Sequence, residues 1–129
     1  MNGKKNGHGV FRWSDGSIYQ GEFFDNYIHG RGIYRWSDGR SYEGQWHVNM
    51  MQGRGLFSWD DGRRYEGEYY RDLKHGKGKL TWPCGKYYDG QWLNGVMDGF
   101  GLFKDSTPQS IERMGEWKQG KRIRWIDRA

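Results

Sequence analysis

The sequence predicts an all-β fold, a single elongated and twisted antiparallel sheet built from consecutive β-hairpins. Three observations predict it: a 23-residue repeat, alternation of aromatic and polar residues inside each unit, and Asp-Gly pairs between strands. Fixed-period repeats are typical of stacked arrays, and Asp-Gly is a strong hairpin signal. No segment repeats apolar residues at helical spacing over a useful length, so no helix is predicted.

The repeat is marked first by a column of tyrosines at Tyr19, Tyr42, Tyr65 and Tyr88. A glycine follows each tyrosine by two positions, and an aromatic residue follows that glycine by two more. The second half of each unit reads Gly-x-Gly-x-aromatic or leucine, then Trp in most units, and closes near Asp-Gly or its equivalent. Each unit is therefore predicted to be one β-hairpin.

Alternation along the strands assigns the side chains to two faces of the sheet. In the strand around Tyr42, the residues Tyr42, Gly44 and Trp46 share one face, whereas Glu43 and Gln45 share the other. One face is therefore predicted to be a lattice of aromatic rings lying in hollows left by glycines. Twist should curl a sheet of this size, and we expect the aromatic side to be concave.

The other face is mainly charged and is predicted to carry cross-strand ion pairs, each contributing roughly 0.2–1 kcal/mol. The acidic positions are Glu22, Glu43, Glu66, Glu68, Asp89 and Glu116, and the basic positions are Arg31, Arg54 and Lys77.

We expect a single domain, 1–129, with an incomplete start and a divergent end. Its predicted parts are a half repeat at 3–18, repeats at 19–41, 42–64, 65–87 and 88–112, and a C-terminal cap at 113–129. The first unit lacks its Tyr-x-Gly-x-Trp strand, which favours a fragment of a longer array over a frayed natural start. In the last unit the segment from Lys104 to Ser110 contains Pro108 and is predicted to be a loop.

These residues resemble the MORN repeat (membrane occupation and recognition nexus). The resemblance is carried by Tyr65-Glu66-Gly67-Glu68-Tyr69 followed by His75-Gly76-Lys77-Gly78, and by similar stretches at Tyr42 and Tyr88. It implies a single-layer meander of hairpins with a groove, usually an accessory module of a membrane- or cytoskeleton-associated protein. No catalytic residue belongs to the repeat.

Composition argues for a folded, cytoplasmic chain. Only 34 % of the residues are hydrophobic, yet aromatic residues reach 18 %, with 8 Trp and 9 Tyr. Large rings bury much area per residue, so a thin aromatic core is expected. The single cysteine, Cys84, has no internal disulfide partner and favours a reducing compartment. Because no apolar run reaches about 20 residues, membrane or cytoskeletal contact is expected to be peripheral.

The sequence offers no constellation typical of an enzyme, metal site or cofactor site. The stretch Gly115 to Arg122 superficially looks like a phosphate-binding loop, but it lacks the final Ser or Thr and has no helix after it. His29 and His75 lie in the same repeat column of non-adjacent units, too far apart to share a metal ion. We therefore predict no catalytic residues, no metal and no cofactor.

The leading hypothesis is a non-catalytic protein-binding or scaffolding module that uses the aromatic face. Tyr and Trp are favoured at interface hot spots, and an extended or helical peptide is the expected ligand. The candidate protein-binding residues are Tyr19, Tyr34, Trp36, Tyr42, Trp46, Phe57, Trp59, Tyr65, Tyr69, Trp82, Tyr88 and Trp92.

The alternative is peripheral binding of anionic phospholipids, such as phosphoinositides or phosphatidic acid. Residues 113–129 hold six basic and two acidic side chains, whereas the rest of the chain is nearly neutral. Basic side chains near an anionic surface contribute about 1 kcal/mol each. The candidate lipid-binding residues are Lys118, Lys121, Arg122, Arg124, Trp125 and Arg128.

Two further kinds of partner are a second copy of the chain and a nucleic acid. Open edge strands make homo-oligomerisation a third hypothesis, since an uncapped edge can pair with another chain. The nearly neutral body of the array argues against a nucleic-acid groove.

Overall fold

The computed structural model describes residues 4–126 and shows one open sheet in which each strand pairs antiparallel with the next. The all-β prediction is confirmed. The strands are β1 Gly7–Arg12, β2 Ile18–Phe24, β3 Tyr27–Arg35, β4 Ser41–His47, β5 Met50–Ser58, β6 Arg64–Tyr70, β7 Leu73–Thr81, β8 Tyr87–Leu93, β9 Val96–Lys104, β10 Arg113–Lys118 and β11 Lys121–Trp125. Across 4–126 no helix is present that could cross a membrane.

The Asp-Gly turns lie along one end of the strands, as the sequence predicts. Between β3 and β4, the Gly39 amide donates to the Trp36 carbonyl at 3.2 Å. The Asp38 carboxylate accepts a hydrogen bond from the Arg40 amide at 3.1 Å. A side-chain oxygen that holds its own turn in this way explains why Asp recurs there.

The turns at the other end have two residues with positive φ, the geometry that matches the twist of a tight hairpin. They are Asp25-Asn26, Val48-Asn49, Arg71-Asp72, Asn94-Gly95 and Gln119-Gly120. Their second residue also ties the hairpin to the preceding one. The Asn49 amide donates to the Ile28 carbonyl at 2.8 Å, and its side-chain oxygen accepts from the Ile28 amide at 2.8 Å.

A β-bulge recurs inside each repeat. The register between β4 and β5 shifts between Gly44 and Trp46, so Gln45 has no direct partner on β5. Its side-chain oxygen accepts from the Arg54 amide at 2.7 Å, and its carbonyl accepts from the Tyr42 hydroxyl at 3.0 Å. A bulge bends its strand and increases twist, so the sheet has one such bend per repeat.

The predicted ion-pair ladder on the charged face is wrong except at Glu116, which pairs with Arg124 on the neighbouring strand at 2.8 Å. Among residues 4–126, none of Arg31, Arg54 and Lys77 forms an ion pair. Instead, Glu22 and Glu68 accept from backbone amides across the bulge. Because Gln45 and Gln91 do the same in neighbouring repeats, the position requires a side-chain oxygen and not a charge.

The core is a single layer of side chains on one face of the sheet. The four repeat tyrosines are 0 % exposed. Around them pack the other buried apolar residues, Phe23, Ile28, Trp46, Met51, Phe57, Tyr69, Leu80, Trp92 and Trp117.

Candidate binding face

The repeat tyrosines form the inner layer of the aromatic face. The Tyr65 ring lies over Gly78 of the next strand, where an added Cβ would overlap the ring. The Tyr65 hydroxyl donates to the Glu68 carbonyl at 2.9 Å, which satisfies a backbone group that the bulge leaves unpaired. Burial raises the pKa of Tyr65, and the same cause raises that of Tyr42 to about 12. These buried rings therefore stabilise the fold.

The second aromatic column joins neighbouring repeats. The Trp46 ring meets Tyr42 of its own repeat edge-on at 5.0 Å and Tyr19 of the preceding repeat at 5.9 Å between centroids. Its indole nitrogen donates to the Gly32 carbonyl at 3.2 Å. Trp92 makes the equivalent hydrogen bond at 2.9 Å. A buried indole is thus used for stacking between repeats, with its polar group satisfied.

Burial divides the twelve predicted protein-binding residues into two groups. Eight are buried, and these are Tyr19, Tyr42, Trp46, Phe57, Tyr65, Tyr69, Tyr88 and Trp92. Four remain half-buried, and these are Tyr34, Trp36, Trp59 and Trp82. All twelve lie on the same face, but only the second group has ring surface open to a ligand.

Three half-buried tryptophans spaced by 23 residues form a row that we call the tryptophan row, Trp36, Trp59 and Trp82. A basic side chain stacks on each ring at cation–π distance. The distances from cation to ring centroid are 5.2 Å for Arg40 on Trp36, 5.0 Å for Arg63 on Trp59 and 4.5 Å for Lys86 on Trp82.

The charge along the tryptophan row is not uniform. Arg63 is paired with Asp61 at 2.8 Å, and Arg40 is paired with Asp38 at the same distance. In the next repeat Cys84 stands where these aspartates stand, and Lys86 forms no ion pair with any residue of 4–126. The third repeat therefore presents an uncompensated cation.

A residue that sequence analysis missed lies on this face. Lys74 occupies the column that holds Ile28, Met51 and Met97 in the other repeats, spaced by 23 residues. Its ammonium lies 5.0 Å from the Trp59 ring centroid, 5.5 Å from that of Tyr65 and 5.6 Å from that of Trp92. The signal was available, because a lysine in an otherwise apolar column breaks the repeat pattern.

The family model for the MORN repeat matches six segments of the chain, at residues 1–18, 19–39, 42–63, 65–86, 88–107 and 114–122. The chain belongs to the MORN-repeat family. MORN repeats are non-catalytic modules associated with membrane and protein interaction. A search of curated proteins found no match to the chain.

The MORN sheet also has an exposed apolar edge on its charged face, which sequence analysis missed. It flanks the two-residue turns, where Tyr70 pairs with Leu73 and Leu93 pairs with Val96. These four residues and Phe24 are 41–62 % exposed. In the sequence, this edge is indicated by an apolar residue on each side of the turn, but such a residue is easily taken for part of the strand's buried pattern.

The predicted lipid-binding residues are divided between features. Arg124 pairs with Glu116 at 2.8 Å, which offsets its charge. Arg122 stacks on the Trp125 ring at 4.5 Å, on the aromatic side. Lys118 and Lys121 are exposed cross-strand partners beside the last turn. Arg128 lies outside the described residues.

A shallow cavity of about 490 Å³ adjoins this end of the MORN array, between the loop after β9 and the last strand. Arg113 lines it and stacks on Trp125 at 4.1 Å. The predicted loop is confirmed, since β9 ends at Lys104 and β10 begins at Arg113.

The described part of the chain contains no group of three or more His, Cys, Asp or Glu side chains that could hold a metal ion. His29 instead accepts a hydrogen bond from the Val48 amide through Nδ1, at 3.2 Å. Its ring lies 5.0 Å from that of His47.

Proposed function

We propose that the chain is a non-catalytic scaffolding module that binds a protein partner on its aromatic face, within a larger membrane- or cytoskeleton-associated protein or complex. The observation that carries the proposal is the tryptophan row, in which each half-buried ring bears a cation. Trp and Arg are enriched among the residues that dominate binding energy at protein interfaces.

The spacing of the row fits a polypeptide ligand. Successive tryptophans are one repeat apart, which is two strands or roughly 10 Å at the usual strand separation. A peptide in the polyproline II conformation rises about 3.1 Å per residue with about three residues per turn, so every third side chain of such a peptide crossing the strands would meet one ring. The buried Phe57 ring contacts Trp36 at 5.3 Å and Trp59 at 4.5 Å between centroids, and rings held in this way lose less entropy on binding.

The test compares partners captured from a cell lysate by three forms of the chain. The aromatic-face variant carries Trp59→Ala and Trp82→Ala, and the control carries Tyr70→Ser and Leu93→Ser on the opposite face. Circular dichroism and melting temperature establish that each form is folded.

The captured amount of a partner that binds the aromatic face should fall by about tenfold or more with the aromatic-face variant and should be unchanged with the control. Partners that persist with the folded aromatic-face variant and disappear with the control would reject the proposal.

A second candidate function is peripheral binding of anionic phospholipids by the C-terminal end. Lys118 and Lys121 are exposed together, and Arg122 stacks on Trp125 beside them. Cosedimentation with vesicles containing phosphatidic acid or a phosphoinositide, at low salt, tests it. Absence of lipid-dependent pelleting would exclude this function.

A further inference from the structure

Lys74 is a charged residue in a core position. It pairs with Tyr69 across β6 and β7, as Met51 pairs with Trp46 and Met97 with Trp92 in the flanking repeats. Methionine would fill this position without desolvating a charge, so packing alone does not explain a lysine there.

The surroundings of the Lys74 ammonium favour an anion. Three ring faces lie within 5.6 Å of it, and they attract a cation without neutralising it. None of the ion pairs within 4–126 includes Lys74. Burial lowers its pKa, and the nearby Arg63 charge lowers it further. The site thus holds an uncompensated charge where a counter-ion would be bound strongly.

We propose that the aromatic face binds its partner through an acidic residue of a peptide segment, whose carboxylate pairs with the Lys74 ammonium beside Trp59. This inference rests on the proposed function and names the chemistry of the partner. Lys86, which has no ion pair in the same repeat, adds to the attraction for an acidic segment.

The geometry favours a peptide carboxylate over a membrane headgroup layer. Lys74 is enclosed among rings in the third repeat, so an anion must project from a narrow carrier to reach it. A planar lipid surface is attracted by several exposed cations acting together. Lys118 and Lys121, at the C-terminal end, have that character and Lys74 does not.

Selection of random dodecapeptides by phage display against residues 1–129 supplies the probe. Peptides selected on the wild type should share one acidic position among apolar residues. Affinities are then measured for four combinations, the wild type or Lys74→Met with the peptide or its acid-to-amide analogue. Lys77→Met removes the same charge from the opposite face as the control.

Lys74→Met should lower the affinity for the acidic peptide by about tenfold, which is the contribution expected of a charge-assisted hydrogen bond. On the wild type, the amide analogue should bind with an affinity lower by the same factor than that of the acidic peptide. On Lys74→Met, the two peptides should have equal affinity. Lys77→Met should change the affinity by less than about twofold.

Three results would overturn the inference, and they separate it from the proposed function. Peptides that bind the tryptophan row without an acidic preference would reject the Lys74 contact alone. Failure to select any peptide that needs the tryptophan row would reject both. If phosphatidylserine vesicles bind the wild type but not Lys74→Met, and no peptide is selected, the ligand of Lys74 is a lipid headgroup.

Discussion

At the residue scale, each repeat tyrosine combines three roles. The Tyr42 ring occupies the hollow over Gly55, and its hydroxyl satisfies the Gln45 carbonyl at the bulge. The same ring makes T-shaped contacts with Trp46 and Tyr69. The ring needs the glycine and the bulge needs the hydroxyl, which explains why the three features repeat together.

Removal of one hydroxyl should therefore destabilise the array without creating a cavity. Tyr65→Phe leaves the Glu68 carbonyl without its 2.9 Å hydrogen bond, and an unsatisfied buried acceptor costs about 1–3 kcal/mol. Urea denaturation measures the loss. Tyr70→Phe, at a ring that is 45 % exposed, should change stability little. Equal effects of the two substitutions would contradict the role assigned to the hydroxyl.

Lys74 should lower stability while serving binding. Lys74→Met restores the residue type of the flanking repeats and removes a desolvated charge, so we expect a gain of about 1 kcal/mol at neutral pH. Burial lowers the pKa of Lys74 from 10.5, so the native charge is lost at lower pH than the unfolded one. The wild type then gains stability as pH rises toward 10.5, and the advantage of Lys74→Met should shrink.

Thermal melting at several pH values checks this. A variant less stable than the wild type at neutral pH would show that the ring contacts of Lys74 outweigh its desolvation.

At the element scale, strands could be predicted from sequence but one set of turns could not. The aromatic alternation and the 23-residue period locate β4 and β6 because both reflect which side chains face the core. The turns at Val48-Asn49 and Arg71-Asp72 have no glycine, and their positive φ values come from the tight two-residue link. Local preference was overridden there by the twist of the hairpin.

Val48 is the turn position where this override is most costly. Its φ of 43° is a left-handed conformation that a β-branched residue rarely adopts. Asn94 occupies the equivalent position two repeats later with a φ of 49°. Val48→Asn should raise the free energy of unfolding by about 1 kcal/mol, measured by urea denaturation. Asn94→Val should lower it by a similar amount, and equal stability of all three proteins would contradict the strain.

The candidate site could be predicted in outline only. The sequence places Trp59 and Tyr65 on one face, because the period of a strand is two. It does not show that Tyr65 lies flat over Gly78 and is 0 % exposed while Trp59 stays half-buried, since that depends on ring tilt between repeats. Lys74 was visible as a break in its column, whereas its three ring contacts required coordinates.

At the scale of the whole molecule, the sheet depends on contacts between neighbours. Each hairpin pairs with the next. Ring contacts such as those of Tyr19 with Trp46 and of Tyr65 with Trp92 join adjacent repeats. Stability in such arrays is a sum of repeat and interface contributions. Substitution of one of these buried aromatic residues should therefore weaken the contacts of its repeat with both neighbouring repeats.

The buried tyrosines should make the array unfold in alkali. Burial raises the pKa of Tyr19, Tyr42 and Tyr88 to about 12, from the ordinary 10.0. Above pH 10 the unfolded chain loses these protons and the native chain does not. Their contribution is therefore complete below pH 10 and declines as pH rises to about 12. Circular dichroism and the ultraviolet absorbance of tyrosinate, recorded on the same samples across this pH range, check this.

The part of the absorbance change that comes from the buried tyrosines should coincide with the loss of the sheet signal. Tyrosine ionisation complete near pH 10 with the sheet intact would contradict the burial of these rings.

The central claim is that the half-buried side of the tryptophan row binds a protein while the buried rings beneath it hold the sheet. The most direct measurement is a ¹H–¹⁵N NMR titration with the tightest peptide from the display selection, in which the indole and the backbone amide signals are both followed. The account predicts the largest shift at Trp59, smaller shifts at Trp36 and Trp82, and little change at Tyr70 and Leu93 on the opposite face. Shifts confined to the Tyr70 and Leu93 edge, with the Trp59 indole unmoved, would contradict it.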